Sequence, residues 1–268
     1  MIASAESEIL YNLAAMPKTP PDRSSKLSTE LVEIQRTGEV LTYTLNNPDH
    51  GNEVTGTMFD AMLADLRSQD KSRRSSARVL RIRARGKVFC TGRERAGGDK
   101  KSIRAEAARL IAFKRAIRTS SLITVAEVHG DAFGFGLGLA IVCDFALVAS
   151  HASLCFPEMR AGLPPTAIMA YLGEYALPRV AFPLVLFGEP FSPQRALEIG
   201  LISQVCVPEK LSSEADALIT RILQLDPDAT RRCKQFFLAA QNNSYEKNCR
   251  LAIDALTQGT LAALGRKK

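Results

Sequence analysis

A chain of 268 residues, 46% hydrophobic and 24% charged, has the composition of a globular protein with enough sequence to bury one extensive core. No stretch approaches the roughly 18 uninterrupted apolar residues of a membrane span, and Glu6 and Glu8 stand where a signal peptide carries cations, so the expected setting is cytoplasmic. The formal net charge of +7 favours anionic partners, whether nucleic acid, a membrane surface or a phosphate-bearing ligand, without choosing between them. Six cysteines without a C-x-x-C pair and three dispersed histidines lack the spacing of a metal centre. No metal is expected, and the cysteines read as small buried side chains in a reducing compartment.

Residues 1–28 read as a flexible extension ending in the loop formers of 17–25. Residues 31–34 and 40–45 form two strands joined by a tight turn at Thr37-Gly38, and residues 57–66 carry apolar side chains at helical spacing. Residues 79–88 form a strand, 105–117 a helix and 122–128 a strand; a glycine-rich loop then opens a short helix ending near Cys143. Short strands follow at 145–149 and 154–156, and from about Thr166 the pattern is helical to residue 264. Strands interleaved with helices predict an α/β fold. The expected division is an extension over 1–28, a core over 29–205 and a helical region over 206–268.

Two transitions from strand to glycine loop carry the chemistry: Val88-Phe-Cys-Thr-Gly-Arg-Glu94 and Val128-His-Gly-Asp-Ala-Phe-Gly-Phe-Gly-Leu-Gly-Leu-Ala140. Glycine lets the backbone turn sharply and leaves N–H groups uncovered. The second loop also opens a helix, whose unpaired N–H groups and dipole favour negative charge. Side by side, two such loops could hold an oxyanion between backbone donors.

Downstream come Cys143-Asp144, then Ala152-Ser-Leu-Cys-Phe-Pro-Glu158, then Gly162-Leu-Pro-Pro165, and finally Phe187-Gly-Glu-Pro-Phe-Ser-Pro-Gln-Arg-Ala-Leu-Glu-Ile-Gly-Leu-Ile202. With the two glycine loops, this succession resembles the crotonase superfamily, the enoyl-CoA hydratase/isomerase family, from about Leu31 to the C-terminus. The resemblance implies a ββα spiral core with a C-terminal helical trimerisation region. It also implies an acyl-CoA thioester substrate, with coenzyme A entering as part of the substrate rather than as a cofactor, and assembly as a homotrimer or hexamer.

Mapped by position, the resemblance puts the oxyanion donors at the backbone N–H groups of Arg93 and Phe135, with Gly92, Gly134 and Pro157 against the substrate. Both donor residues depart from the family, which has a small residue at the first position and glycine at the second. Phe135 is expected to add bulk beside the acyl group, and a positive φ there would be strained. Family hydratases carry two glutamates; the second matches Glu158, whereas Gly138 stands where the first would be. One remaining carboxylate is the pattern expected of a double-bond isomerase, in which a single base moves a proton between two carbons. Enoyl-CoA hydratase, with Asp131, Glu94 or Glu174 as the replacement acid, or another crotonase-type reaction is the alternative. Asp144 resembles a structural aspartate of the family, and His129 reads as a packed, hydrogen-bonded residue.

Arg81, Arg83 and Arg85 alternate with Leu80, Ile82 and Ala84 and therefore share one strand face. With Lys71, Arg73, Arg74 and Arg78 before them, they read as a solvated face or as ion pairs, against contacts to CoA phosphates or to RNA. The stretch has no aromatic residue before Phe89 to stack a base, so nucleic-acid binding is not expected. The C-terminal amphipathic segment 251–268 ends Gly265-Arg-Lys-Lys, and the resemblance places it against a neighbouring subunit and over bound CoA. A relative that binds CoA without turnover is a third reading.

Overall fold

In the computed structural model, which describes residues 30–71, 77–95, 97–241 and 243–265, the first strands β1 (Val32–Thr37) and β2 (Val40–Leu45) close into an antiparallel hairpin. Their alternation buries Val32, Leu41, Tyr43 and Leu45, and the Tyr43 hydroxyl is satisfied by Asp65 Oδ2 at 2.6 Å. After helix α1 (Gly56–Lys71) come β3 (Val79–Ala84), helix α2 (Lys100–Thr119), β4 (Ile123–Val128), the two-residue β5 (Ala132–Phe133) and helix α3 (Phe135–Val142). Strands β6 (Phe145–Ala149) and β7 (Leu154–Cys155) precede helices α4 (Thr166–Leu172), α5 (Pro178–Phe187) and α6 (Pro193–Glu198). Strand β8 (Gln204–Cys206) leads to α7 (Leu211–Leu223), α8 (Pro227–Ala240) and α9 (Tyr245–Gly265).

The main sheet has the order β1-β2-β3-β4-β6-β8, parallel from β2 onward. Every residue of β4 is buried, as a parallel strand covered on both faces requires. One face packs Leu80, Ile82, Ala126 and Val128 into the large core with Met58 and Met62 of α1, Phe113 and Ile117 of α2, and Leu137 of α3. The other face packs Val79, Ile123, Val125 and Leu147 against Leu211, Ala215, Ile219 and Ile222 of α7. Strand β8, absent from the sequence pattern, is three residues long with only Cys206 fully buried, too short for a period to register. It crosses the division expected at 205/206, and α7 lies on the same sheet. The strand expected over 79–88 ends at Ala84, because Gly86 turns the chain at φ +81. The expected extension over 1–28, Arg73, Arg74 and the end of the basic tail lie outside the described residues.

The arginines on and beside β3 bond within the molecule. Arg81 is buried, donating to Glu127 Oε2 at 2.6 Å, Asp216 Oδ1 at 2.8 Å and Ser212 Oγ at 3.1 Å. Arg83 reaches Thr44 Oγ1, and Arg85 holds Glu33 in a fork at 2.7 and 2.9 Å. Arg78 donates to the last carbonyls around α7, at Leu223 and Leu225. Ion pairs and helix capping account for Arg78, Arg81 and Arg85, and a threonine hydroxyl takes Arg83, so phosphate contacts are not needed to explain the row.

The two glycine loops are locked together. Phe89 N and Cys90 N both donate to Asp131 O, at 3.0 and 3.2 Å, and Phe133 N donates to Cys90 O at 2.9 Å. Gly136, in the first turn of α3, lies so close to Cys90 that a Cβ there would collide with the Cys90 carbonyl and stand 2.7 Å from its Cβ. Backbone against backbone has no flexible end to yield. Gly136→Ala is therefore expected to lose about 3 kcal/mol or more in urea unfolding. Gly259→Ala, on α9 with nothing within 4 Å of the added methyl, is expected to gain about 0.5–1 kcal/mol. Equal midpoints for the two variants would contradict the locked-loop account.

Candidate active site

Helix α3 begins where the second glycine loop ends. Gly134, at φ +50 and ψ −110, makes the turn, and its N–H donates to Cys155 O at 2.8 Å. The positive φ thus falls on Gly134 and not on Phe135, which removes the strain expected there. Phe135 leads the helix, so its N–H is among those a helix leaves unpaired. The bulk expected beside the acyl group is mostly directed into the core: the buried Phe135 ring packs edge-on to Phe59 at 5.1 Å and lies 6.4 Å from Phe113.

The first loop is fixed by Asn52, which adopts φ +56 and donates from its amide to Arg85 O and Val88 O at 2.7 and 2.8 Å. The chain then bridges Val54 to Arg93 in parallel. Val54 N donates to Gly92 O and Glu94 N to Val54 O, a pattern that points the Arg93 N–H away from this ladder. The Arg93 side chain pairs with Glu106 of α2; burial, with Arg95 nearby, holds its pKa below the ordinary value.

Gly92, Arg93, Gly134, Phe135, Pro157 and Glu158, the six residues singled out from sequence, all border one cleft of about 740 Å³. Glu158 sits in the first turn of a 3-10 segment, Pro157–Ala161, that the sequence pattern left as loop. Phe156, wholly buried, anchors it in the core. One carboxylate oxygen, Oε1, lies 2.9 Å from where a Cβ on Gly134 would stand. The other, Oε2, is buried and has no hydrogen-bond partner among the described residues.

The expected replacement acids do not reach this cleft. Asp131 Oδ1 accepts from Ser153 N at 2.8 Å and fastens its own loop. Glu94 Oε2 faces Gly56 N at the start of α1, at 3.4 Å, and Glu174 is paired with Arg118. Asp144 accepts from Thr124 N, Thr124 Oγ1 and Lys234 Nζ at 2.7, 2.9 and 2.6 Å, a structural set. His129 Nε2 contacts Gly86 O at 2.9 Å. The carboxylates that do border the cleft beside Glu158 are Glu53 and Glu106, which the sequence reading passed over because neither belongs to a glycine-loop motif.

The largest omission is Lys114. On α2 it falls in register with Leu110, Phe113 and Ile117 and is buried with them; a lysine inside an apolar stripe is the signal that could have found it. Its Nζ donates to Tyr171 Oη at 2.6 Å, and that hydroxyl donates to Gly138 O at 3.1 Å. A Cβ on Gly138 would collide with Lys114 Nζ and stand 2.7 Å from Tyr171 Oη. The space that a glutamate at 138 would use is thus filled by a lysine from another helix. Burial pushes the Lys114 pKa down to about 7; the Glu158 carboxylate pulls it up and Arg93 pushes it further down. Because the folded chain binds this proton more weakly than the unfolded chain, Lys114 subtracts stability below about pH 7. That penalty is relieved as pH rises from about 7 toward the ordinary lysine value of 10.5.

The sequence model of the family described as Enoyl-CoA hydratase/isomerase matches residues 35–263. A putative enoyl-CoA hydratase of Thermus thermophilus is 27% identical over 229 residues, 83% of this chain and 89% of that one. The mitochondrial enoyl-CoA hydratase domain-containing protein 3 of Xenopus laevis is 26% identical over 253 residues, 92% of this chain and 85% of that one. Among solved structures, an enoyl-CoA hydratase of Mycobacterium smegmatis superposes with a TM-score of 0.82 at 24% identity, covering 89% of this chain and 97% of that one. A putative enoyl-CoA hydratase of Thermobifida fusca, solved in complex with CoA, gives 0.80 at 24% identity over 93% and 100%. The architecture is the crotonase-like α/β fold with a helical C-terminal region. With most of its length matched, the chain belongs to the enoyl-CoA hydratase/isomerase family.

Proposed function

We propose that this protein is an enoyl-CoA double-bond isomerase. In this reading the thioester carbonyl oxygen sits between the N–H groups of Arg93 and Phe135, with the α3 N-terminus adding its dipole. The Glu158 carboxylate takes a proton from the α carbon of a 3-enoyl thioester. The electron pair left behind delocalises through the thioester onto the oxygen facing the two donors, and the γ carbon then receives a proton. Coenzyme A enters and leaves as part of the substrate. The observation that carries the reading is the buried Oε2 of Glu158 at the cleft, without a hydrogen-bond partner among the described residues, beside a residue 138 that has no side chain to act as a second carboxylate.

Hydration of a 2-enoyl thioester is the second reading, favoured by the names of the relatives and by Glu53 and Glu106 at the same cleft. Exposed apolar side chains on the C-terminal helices, Phe182 and Phe187 on α5, Phe237 on α8, Leu256 and Leu261 on α9, support assembly as a homotrimer or a pair of trimers.

Wild type is expected to interconvert 3-enoyl-CoA and 2-enoyl-CoA faster than it hydrates the 2-enoyl isomer. Glu158→Gln is expected to lower that rate by about 10²–10⁴-fold. A variant as fast as wild type would remove Glu158 as the base, and hydration outrunning isomerisation would put the hydratase reading first. Light scattering is expected to return three or six times the chain mass; a monomer at micromolar concentration would contradict the assembly.

A further inference from the structure

Two buried lysines among the described residues answer to different needs. Lys234 of α8 donates to Asp144 Oδ2 at 2.6 Å and Leu122 O at 2.7 Å, and so has a counter-charge and a carbonyl. Lys114 has three N–H bonds to place. One goes to Tyr171 Oη at 2.6 Å, and the faces of Phe135 and Tyr171 stand 5.3 and 5.0 Å from Nζ. Lys114 makes no ion pair among the described residues, and it borders the cleft. Its charged and titratable surroundings are Glu158 from the 3-10 turn, Arg93 and Cys90 from the first glycine loop, Tyr171 from α4, and Glu106 on its own helix, paired with Arg93, with Glu53 and Arg95 elsewhere on the same cleft. A methionine would fill the same stripe without the penalty of burying an uncompensated ammonium. The cleft is therefore bordered by a buried carboxylate oxygen of Glu158 with no hydrogen-bond partner among the described residues and by an ammonium with donors left over.

We propose that Lys114 is a second catalytic residue, the proton donor that completes the double-bond shift begun by Glu158. The proposal rests on the isomerase reading. In the first step the α C–H bond breaks, its proton passes to Glu158 and its electron pair enters the dienolate. In the second, the dienolate γ carbon takes a proton from the Lys114 ammonium, a C–H bond forms and the α–β double bond is set. Glu158 is left as the acid and Lys114 as the amine, and one proton passing from the first to the second restores the pair. An amine that titrates near neutrality can give and regain a proton at each turnover.

The test compares wild type, Lys114→Met, Lys114→Arg and Glu158→Gln on a 3-enoyl-CoA substrate across pH 5.5–9. Wild-type kcat is expected to fall as pH rises through the Lys114 titration. Lys114→Met is expected to lose about 10²-fold or more in kcat, with KM within a few-fold, and to lose that limb of the profile. It is also expected to melt at or above the wild-type temperature at pH 6, which separates lost chemistry from lost folding. Lys114→Arg keeps the cation but holds its proton throughout this range, and is expected to be as slow as the methionine variant. Arginine restoring the rate would reduce Lys114 to a charge that positions Glu158 and overturn the donor role. Full activity in Lys114→Met with Glu158→Gln inactive would remove Lys114 and leave the isomerase reading standing. A wild type that does not interconvert the isomers would overturn both.

Discussion

The site depends on one close approach, that of Gly136 in α3 to the carbonyl of Cys90. Through it the end of the loop after β3 is held against the first turn of a helix that β4 delivers. The hydrogen bonds from Phe89, Cys90 and Phe133 fix the register of the two loops. Parallel pairing on both sides of β4 fixes where the second loop starts. The parallel β5–β7 pair then carries the chain from Cys155 through the buried Phe156 to Glu158. The two N–H groups proposed as donors and a carboxylate, drawn from three distant parts of the sequence, are set by main-chain contacts. On the proposed assignment, the side chains at these positions are free to be an arginine and a phenylalanine. A donor that belongs to the backbone does not depend on what the residue carries.

Charge is managed in two ways. Away from the cleft it is saturated: Arg81 spends its guanidinium on Glu127, Asp216 and Ser212, and Asp144 collects three donors. At the cleft it is left open, with Glu158 Oε2 lacking a hydrogen-bond partner among the described residues and the Lys114 ammonium answered by one hydroxyl. Such groups lower stability, and the proposed proton transfers would make use of them. The large core on one face of the sheet and the second core under α7 supply the stability against which this is set.

Much of this was legible in the sequence because it rests on local rules. The hairpin shows as a period of two around Thr37-Gly38, α1 and α2 as apolar stripes, and the two loops as glycines after strands. All six named site residues meet at one cleft. What escaped depends on distant contacts. Gly138 shows that a carboxylate is missing, but not that the vacancy is filled from 24 positions upstream by Lys114, whose charge was hidden inside a helical stripe. Asp131, Glu94 and Glu174 were drawn by proximity in the chain to the glycine loops or to the expected acyl region. In the fold each is turned to an N–H or an arginine instead. Phe135 was expected to crowd the acyl group, whereas the aromatic cluster with Phe59 and Phe113 takes its ring.

The central claim is that Glu158 removes the α proton of a thioester held at the two backbone donors. It is tested most directly by incubating 3-enoyl-CoA with the protein in deuterated water and following each carbon by NMR. Wild type is expected to place deuterium at the γ carbon of the product and, on longer incubation, at the α carbon of recovered substrate. Glu158→Gln is expected to incorporate deuterium at neither. Exchange at the α carbon that persists at the wild-type rate in Glu158→Gln would contradict the account.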